Sequence, residues 1–221
     1  MRTKLNIDLH VHTKASGDSF IELKDAVKTA EKIGLDGFAI TDHDTIENAL
    51  LGMKEKKEIV VLPGIEVTAR EGHILGIGLT DMVQKNLSAK EAVKKIRELG
   101  GVAIVPHPFD YFKHGVGEEV TSSIDPDAIE TMNSNSLFFN SACRRSSKLA
   151  DEMQKPKTGG SDAHMLSSLG RVYTEIETES SDLESILRSI RKGRTTPIGE
   201  PTPIKTKIHR LIKTSTKLIQ K

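Results

Sequence analysis

Leu5-Asn6-Ile7-Asp8-Leu9-His10-Val11-His12 reads as an apolar β-run, Leu5 to Leu9, that ends in two histidines separated by one residue. In a strand, residues i and i+2 point to the same side, so His10 and His12 present two imidazoles to one site. Other β-type runs, Gly37 to Thr41, Ile59 to Leu62 and Val102 to Val105, likewise end at or just before such groups: Asp42-His43-Asp44, Glu66 and His107. Asp18, His73 and Asp162-Ala163-His164 complete the set, the last offering a carboxylate and an imidazole on a shared face. These seven segments take six of the eight histidines. Ligands converging from many strand ends predict a metal centre.

Helical periodicity alternates with the β-runs. It marks Glu22 to Ile33, with Gly34 as its C-terminal cap, and then Ile46 to Lys57. A helix from the capping-box sequence Ser88-Ala89-Lys90-Glu91 to Leu99 follows, then Ser141 to Gln154, and Leu183 to Arg191 started by Ser181. Further strands are expected over Ile59 to Thr68, broken at Pro63-Gly64, and over His73 to Leu79, Ala128 to Met132 and Val172 to Ile176. Alternating βα units predict an α/β fold with a parallel sheet wound with helices. Polar residues gathered at one set of strand ends favour a closed or nearly closed barrel, with the chemistry on its C-terminal face.

Length and charge set the surroundings. The 221 residues suit one barrel domain, residues 1–194, followed by a linker and tail, 195–221. Formal net charge is +1, so no global field calls for a nucleic-acid or membrane partner. The tail differs: Thr195 to Pro203 is rich in Pro, Gly and Thr, and Ile204 to Lys221 carries six Lys or Arg and no acid. Its apolar positions Ile204, Ile208, Leu211, Ile212, Leu218 and Ile219 form one face of an amphipathic helix, expected to close the barrel or pack on a twin subunit, with membrane-surface or nucleic-acid contact the competing use of its charge. The oligomeric state stays open. No long apolar stretch predicts a membrane span, and the single cysteine, Cys143, excludes an internal disulfide; together they lead to the expectation of a cytoplasmic protein.

The segments Asp8-Leu9-His10-Val11-His12-Thr13, Thr41-Asp42-His43-Asp44, Gly64-Ile65-Glu66-Val67, Val105-Pro106-His107-Pro108 and Gly160-Ser161-Asp162-Ala163-His164 resemble the ordered motifs of the PHP (polymerase and histidinol phosphatase) family. The resemblance runs from about Leu5 to Ile176. It implies a distorted (β/α)7 TIM-like barrel holding two or three divalent ions, Mn²⁺, Zn²⁺ or Fe²⁺. It assigns His10, His12, Glu66 and Asp162 to one ion, Glu66, His73 and His107 to a second, and Asp18, His43 and His164 to a third, with Glu66 bridging. Asp18 stands where the histidinol-phosphatase branch has histidine and is closer to the small nucleotide phosphatases. Asp42 and Asp44 are read as orienting neighbouring imidazoles, Asp44 with a catalytic role. His114 and His209 match no family position and read as exposed histidines.

Clustered divalent ions lower the pKa of a bridging water toward about 7 and polarise phosphoryl oxygens, so phosphate-ester hydrolysis is the natural reaction. The expected substrate is a small phosphomonoester, a nucleotide or nucleotide bisphosphate among the candidates. The alternatives are a histidinol-phosphatase-like enzyme, a nuclease and, from another class, an RNA-binding barrel scaffold. Arg144, Arg145 and Arg171 are the candidate phosphate clamps, Arg145 also as a catalytic group, with Asn133 beside them. The segment Phe109-Asp110-Tyr111-Phe112, Tyr111 above all, is the candidate base-stacking rim. Cys143-Arg144-Arg145 does not make a cysteine-phosphatase loop, which would need arginine at Leu149, and no phosphate-cradling Gly-rich loop ending in Gly-Lys-Ser/Thr is present.

Overall fold

The computed structural model describes residues 2–54 and 58–219, with side chains up to 216. The expected run of the second helix to Lys57, and Leu218 and Ile219 on the tail's apolar face, lie outside the described backbone or side chains. The strands are β1 (Thr3–Val11), β2 (Gly37–Ile40), β3 (Val60–Thr68), β4 (His73–Ile77), β5 (Val102–Val105), β6 (Ala128–Asn133), β7 (Lys157–Gly160), β8 (Val172–Thr178) and β9 (Thr195–Gly199). The helices are α1 (Leu23–Ile33), α2 (Glu47–Lys54), α3 (Ala89–Glu98), α4 (Gly117–Ile124), α5 (Phe139–Glu152), α6 (Leu183–Arg191) and α7 (Ile204–Ile219).

One sheet runs in the order β7-β6-β5-β4-β3-β2-β1-β8-β9 and curls into a nearly closed, TIM-like barrel. The end strands meet beside β1: His12 N donates to Ala163 O at 3.0 Å and Asp162 N to His10 O at 2.8 Å, just past β7. Thr174 Oγ1 of β8 ties in as well, accepting from Gly159 N at 2.9 Å and donating to Gly159 O at 2.8 Å.

The sheet is mixed, not parallel throughout. β4 is antiparallel to both β3 and β5, and β8 to both β1 and β9. Only four residues separate Thr68 from His73, too few for the crossover that a parallel pair demands. The reversal matters for the site. It places the start of β4, His73, opposite Thr68 and so beside the C-terminal ends of the parallel strands. β3 also runs unbroken through Pro63-Gly64. Pro63 stands at the seam where β3 leaves β2 for β4, and its carbonyl accepts from Gly78 N at 2.6 Å. β7, β9 and α4 were not legible in the sequence, and the N-cap of α6 is Asp182, whose carboxylate accepts from Ser185 N at 2.9 Å, not Ser181. The capping box of α3 forms as expected.

A bulge aims the histidines. Leu5, Ile7 and Leu9 pack in the apolar cluster with Ala39, Leu62, Leu75 and Ile104, whereas Val11 packs with Ile21, Ala26 and Ala30 beneath α1. Strict alternation would keep Val11 with Leu9. The β1–β2 register shifts between Asp8 and Val11, so the chain turns over and His10 and His12 both enter the barrel mouth. Each fully buried Leu or Ile below them contributes about 1.5–3 kcal/mol, a rigid floor for the polar layer above.

The tail corrects the expectation twice. Residues 195–199, read as linker, form β9 in the sheet. α7 packs on the barrel through its cationic face: Lys207 Nζ donates to Ser136 O at 2.7 Å, Arg210 pairs with Asp18 at 2.9 Å, and Lys213 lies 5.3 Å from the Phe20 ring centre. Its apolar residues Ile204, Ile208, Leu211 and Ile212 face outward.

Candidate metal centre

All nine expected ligands converge at the C-terminal mouth of the barrel. Glu66, 1% exposed, lies at their centre. Its Oε2 is 3.2 Å from His10 Nε2, 3.1 Å from His12 Nε2 and 3.3 Å from His43 Nδ1. Its Oε1 is 3.0 Å from His73 Nδ1 and 3.3 Å from His107 Nε2. Asp162 Oδ1 closes one side, 3.5 Å from His12 Nε2 and 3.9 Å from His10 Nε2. On the other side His164 Nε2 meets Asp18 Oδ2 at 2.9 Å. Burial pulls the Glu66 carboxyl upward, but the charges of His10, His43 and His73 outweigh it and hold the group well below the usual carboxylate range.

These spacings are those of ligands around cations. Bond lengths of 2.0–2.2 Å in a tetrahedron put neighbouring ligand atoms about 3.4 Å apart. His10, His12 and Asp162 form one such group; His10, Glu66 and His107 a second; His43, Glu66 and His73 a third; His12, His43 and His164 a fourth. The groups overlap, and His43 belongs to both of the last two, so their eight residues, with Asp18 joined through His164, make one continuous polar layer. Of seven buried side-chain polar atoms without a hydrogen-bond partner among the described residues, five belong to this layer: Asp18 Oδ1, His43 Nδ1, His73 Nδ1, His107 Nδ1 and His164 Nε2. His43, His73 and His164 reach a carboxylate at ion-pair distance yet lack hydrogen-bond geometry, as expected of lone pairs aimed at a third body. The donor set fits divalent ions.

Tautomers are set from behind. His164 Nδ1 lies 3.0 Å from Asp162 O; a carbonyl only accepts, so Nδ1 carries a proton and Nε2 is the nitrogen turned to the layer. His10 Nδ1 faces Glu130 Oε1 at 3.0 Å and His12 Nδ1 faces Ser16 Oγ at 3.0 Å. Glu130 is 2% exposed; its Oε2 accepts from His107 N at 2.9 Å and Asn133 Nδ2 at 2.9 Å. It is a central residue that sequence reading missed, although a lone carboxylate inside the apolar run Ala128–Met132 was its signal. Gly160 makes the contact sterically possible, since a Cβ there would sit 2.4 Å from His10 Cβ and 2.8 Å from Glu130 Oε1. Three non-glycine residues here hold positive φ: His107 (31°), Asp162 (52°) and Asp44 (53°). Each amide is held, by Glu130 Oε2, His10 O and Glu66 O respectively. Such backbone costs of order 1–3 kcal/mol per residue and clusters at functional sites.

Several expected residues stand elsewhere. Asp42 accepts from Thr13 N and, at 2.6 Å, from Thr13 Oγ1, and Asp44 Oδ1 accepts from Thr68 N at 2.8 Å. Both hold backbone, not imidazoles, and Asp44 has no catalytic placement. Asn133 is buried, with Nδ2 donating to Glu130 Oε2 and Oδ1 accepting from the Asn135 amide. Arg144 and Arg145 lie in the second turn of α5. Arg144 lines separate surface grooves, and Arg171 pairs with Glu200. Arg145 stacks on Phe109, its Cζ 4.0 Å from the ring centre. Cys143 is half-buried and burial pushes its thiol up to about 11, the reverse of an activated nucleophile. His114 is exposed but its ring lies 5.2 Å from that of His73 at the mouth, tilted by 42°, while His209 is simply exposed.

A cavity of about 180 Å³ opens onto the layer; Phe112 of the expected aromatic rim lines it, and three of its walls were not foreseen: Lys113, His114 and Arg210. Lys113 Nζ pairs with Asp162 Oδ2, and Arg210 Nη2 is 2.9 Å from Asp18 Oδ2. Phe112 also lines a neighbouring cavity of about 310 Å³ with Phe109, Tyr111, Phe138 and Arg145. No helix among the described residues is long and apolar enough to cross a membrane.

A family model described as the PHP domain matches residues 8–151, and one described as PHP-associated matches residues 140–195. An uncharacterized protein of Methanocaldococcus jannaschii is 37% identical over 141 residues, 58% of this chain and 82% of that one. A protein of Syntrophotalea carbinolica described as a probable phosphatase is 25% identical over 205 residues, 75% of this chain and 83% of that one. The crystal structure of a two-domain Bacteroides vulgatus protein containing a predicted PHP-like metal-dependent phosphoesterase superposes with a TM-score of 0.75 at 20% identity, covering 90% of this chain and 66% of that one. The family match over most of the barrel and the convergence of every motif on one mouth lead to a single conclusion: the chain belongs to the PHP-domain family.

Proposed function

We propose that this protein is a metal-dependent phosphoesterase that hydrolyses a small phosphomonoester at the barrel mouth. The observation that carries the reading is the layer of His10, His12, His43, His73, His107, His164, Glu66, Asp162 and Asp18, in which His43, His73 and His164 turn unpaired nitrogens toward its carboxylates. Two or three divalent ions held there, Mn²⁺, Zn²⁺ or Fe²⁺, supply Lewis acidity and a water that is deprotonated at neutral pH. Glu66 holds the layer together through both oxygens. Glu130 and the Asp162 carbonyl keep protons on the outer nitrogens of His10 and His164, so that the inner ones stay basic.

A nucleotide is the substrate class the surroundings favour. The 310 Å³ cavity walled by Phe109, Tyr111, Phe112 and Phe138 shares Phe112 with the metal-site cavity, so an aromatic ring held there leaves its phosphate at the ions. Phosphate release measured across mononucleotides, nucleotide bisphosphates, sugar phosphates and histidinol phosphate tests both parts. A nucleotide preferred over p-nitrophenyl phosphate is expected. Sugar phosphates turned over faster than every nucleotide would contradict the base-stacking role.

A further inference from the structure

α7 behaves unlike an ordinary amphipathic helix. A helix on a barrel buries its apolar stripe, but here Ile204, Ile208, Leu211 and Ile212 are 49–67% exposed and the face turned to the barrel carries Lys207, Arg210 and Lys213. Spacing of three residues keeps these cations on one side of the helix. The approach is fixed by its start: Thr202, 4% exposed, donates its amide to Ser134 O at 2.7 Å and shares a 2.8 Å hydroxyl contact with Ser134 Oγ. Arg210 is thereby delivered to the cavity over the metal layer, where Lys113 faces it from the loop after β5.

Both cations currently lean on carboxylates of the layer, Lys113 on Asp162 and Arg210 on Asp18. Those two carboxylates are also ligand candidates. With their charge taken up by divalent ions, Lys113 and Arg210 are left with donors facing the open cavity and no full counter-charge. Guanidinium and ammonium groups so placed recognise phosphoryl oxygens.

We propose that Arg210 and Lys113 form the phosphate clamp of this site, binding non-bridging oxygens of the substrate phosphate, and that α7 is part of the substrate-binding apparatus. The clamp takes the place expected for Arg144, Arg145 and Arg171. It rests on the phosphoesterase reading, and the test separates the two.

The experiment uses the full chain loaded with Mn²⁺ and measures orthophosphate binding by calorimetry, alongside KM and kcat for the best phosphomonoester. Arg210→Ala should weaken orthophosphate binding and raise KM by about 10- to 150-fold, the value of a charge-assisted contact. Metal content should stay at the wild-type level, Arg210→Lys should recover part of the loss, and Lys205→Ala, exposed on the same helix and outside the cavity lining, should bind orthophosphate as wild type does. Orthophosphate affinity unchanged in Arg210→Ala overturns the clamp, as does a loss matched by a fall in bound metal, which would make Arg210 a support for Asp18. A wild type that fails to bind orthophosphate overturns it too. Wild type that binds orthophosphate through Arg210 but hydrolyses no phosphomonoester leaves the clamp standing and removes the phosphoesterase reading instead.

Discussion

His10 holds its Nδ1 3.0 Å from Oε1 of Glu130 and turns its Nε2 into the metal layer. One buried carboxylate thus fixes the imidazole's tautomer while its other oxygen holds the His107 amide in a positive-φ turn. Glu130→Gln should lower metal affinity by about 10- to 100-fold with the fold intact, the usual effect of losing a partner behind a ligand. Competition with a coloured chelator reads the affinity, and far-ultraviolet circular dichroism reads the fold. Wild-type affinity in the variant would show that His10 needs no such support.

Glu66 faces His10, His12 and His43 with one oxygen and His73 and His107 with the other, whereas Asp44 is committed to the Thr68 amide. Glu66→Ala should therefore lose most of its bound metal, and Asp44→Ala should keep its metal while losing stability. Elemental analysis after reconstitution distinguishes them. Equal metal content in the two variants would contradict the central place given to Glu66.

Asp8 is fully buried and its carboxylate takes three backbone amides: Oδ1 accepts from Ser161 N at 2.8 Å and His10 N at 3.2 Å, Oδ2 from Gly170 N at 2.9 Å. Asparagine can match one oxygen and must turn an NH₂ toward the other donor. Asp8→Asn should destabilise the protein by about 1–3 kcal/mol. At about 2–4 °C per kcal/mol for a chain of this size, the melting temperature should fall by about 2–12 °C. An unchanged melting temperature would mean that the β1–β7 closure does not depend on Asp8.

Cys143 has its thiol raised to about 11, so at pH 7–8 it is protonated in the folded protein. Native protein should react slowly with iodoacetamide at pH 8 and faster only as the pH approaches 11, while urea-unfolded protein reacts with an ordinary thiol near 8.5. Cys143→Ser should leave phosphate release unchanged. Fast alkylation at pH 7 together with an inactive serine variant would revive a cysteine-based reaction.

The residues of the buried His/Asp/Glu layer were legible because strand ends and short spacings such as His10-Val11-His12 are local signals. Their convergence was readable too, since a barrel gathers strand ends on one face. What lay beyond reach depends on tertiary geometry. The direction of β4 follows from a four-residue connection whose turn carries no strong signature, and β7 (Lys-Thr-Gly-Gly) has no apolar pattern because Gly159 and Gly160 are there for close backbone approach. Glu130 looks like an isolated acid until β6 is laid beside His10. Arg210, nearly 200 residues from Asp18 in sequence, is one of six cations in the tail, and only the packing of α7 singles it out.

The most direct test of the metal-dependent reading is the metal content of the reconstituted 221-residue chain, taken with its phosphate release before and after chelation. Two or three divalent ions per chain are expected, with phosphate release abolished by chelator and restored by added Mn²⁺ or Zn²⁺. Less than one ion per chain, or phosphate release that survives complete chelation, would contradict it.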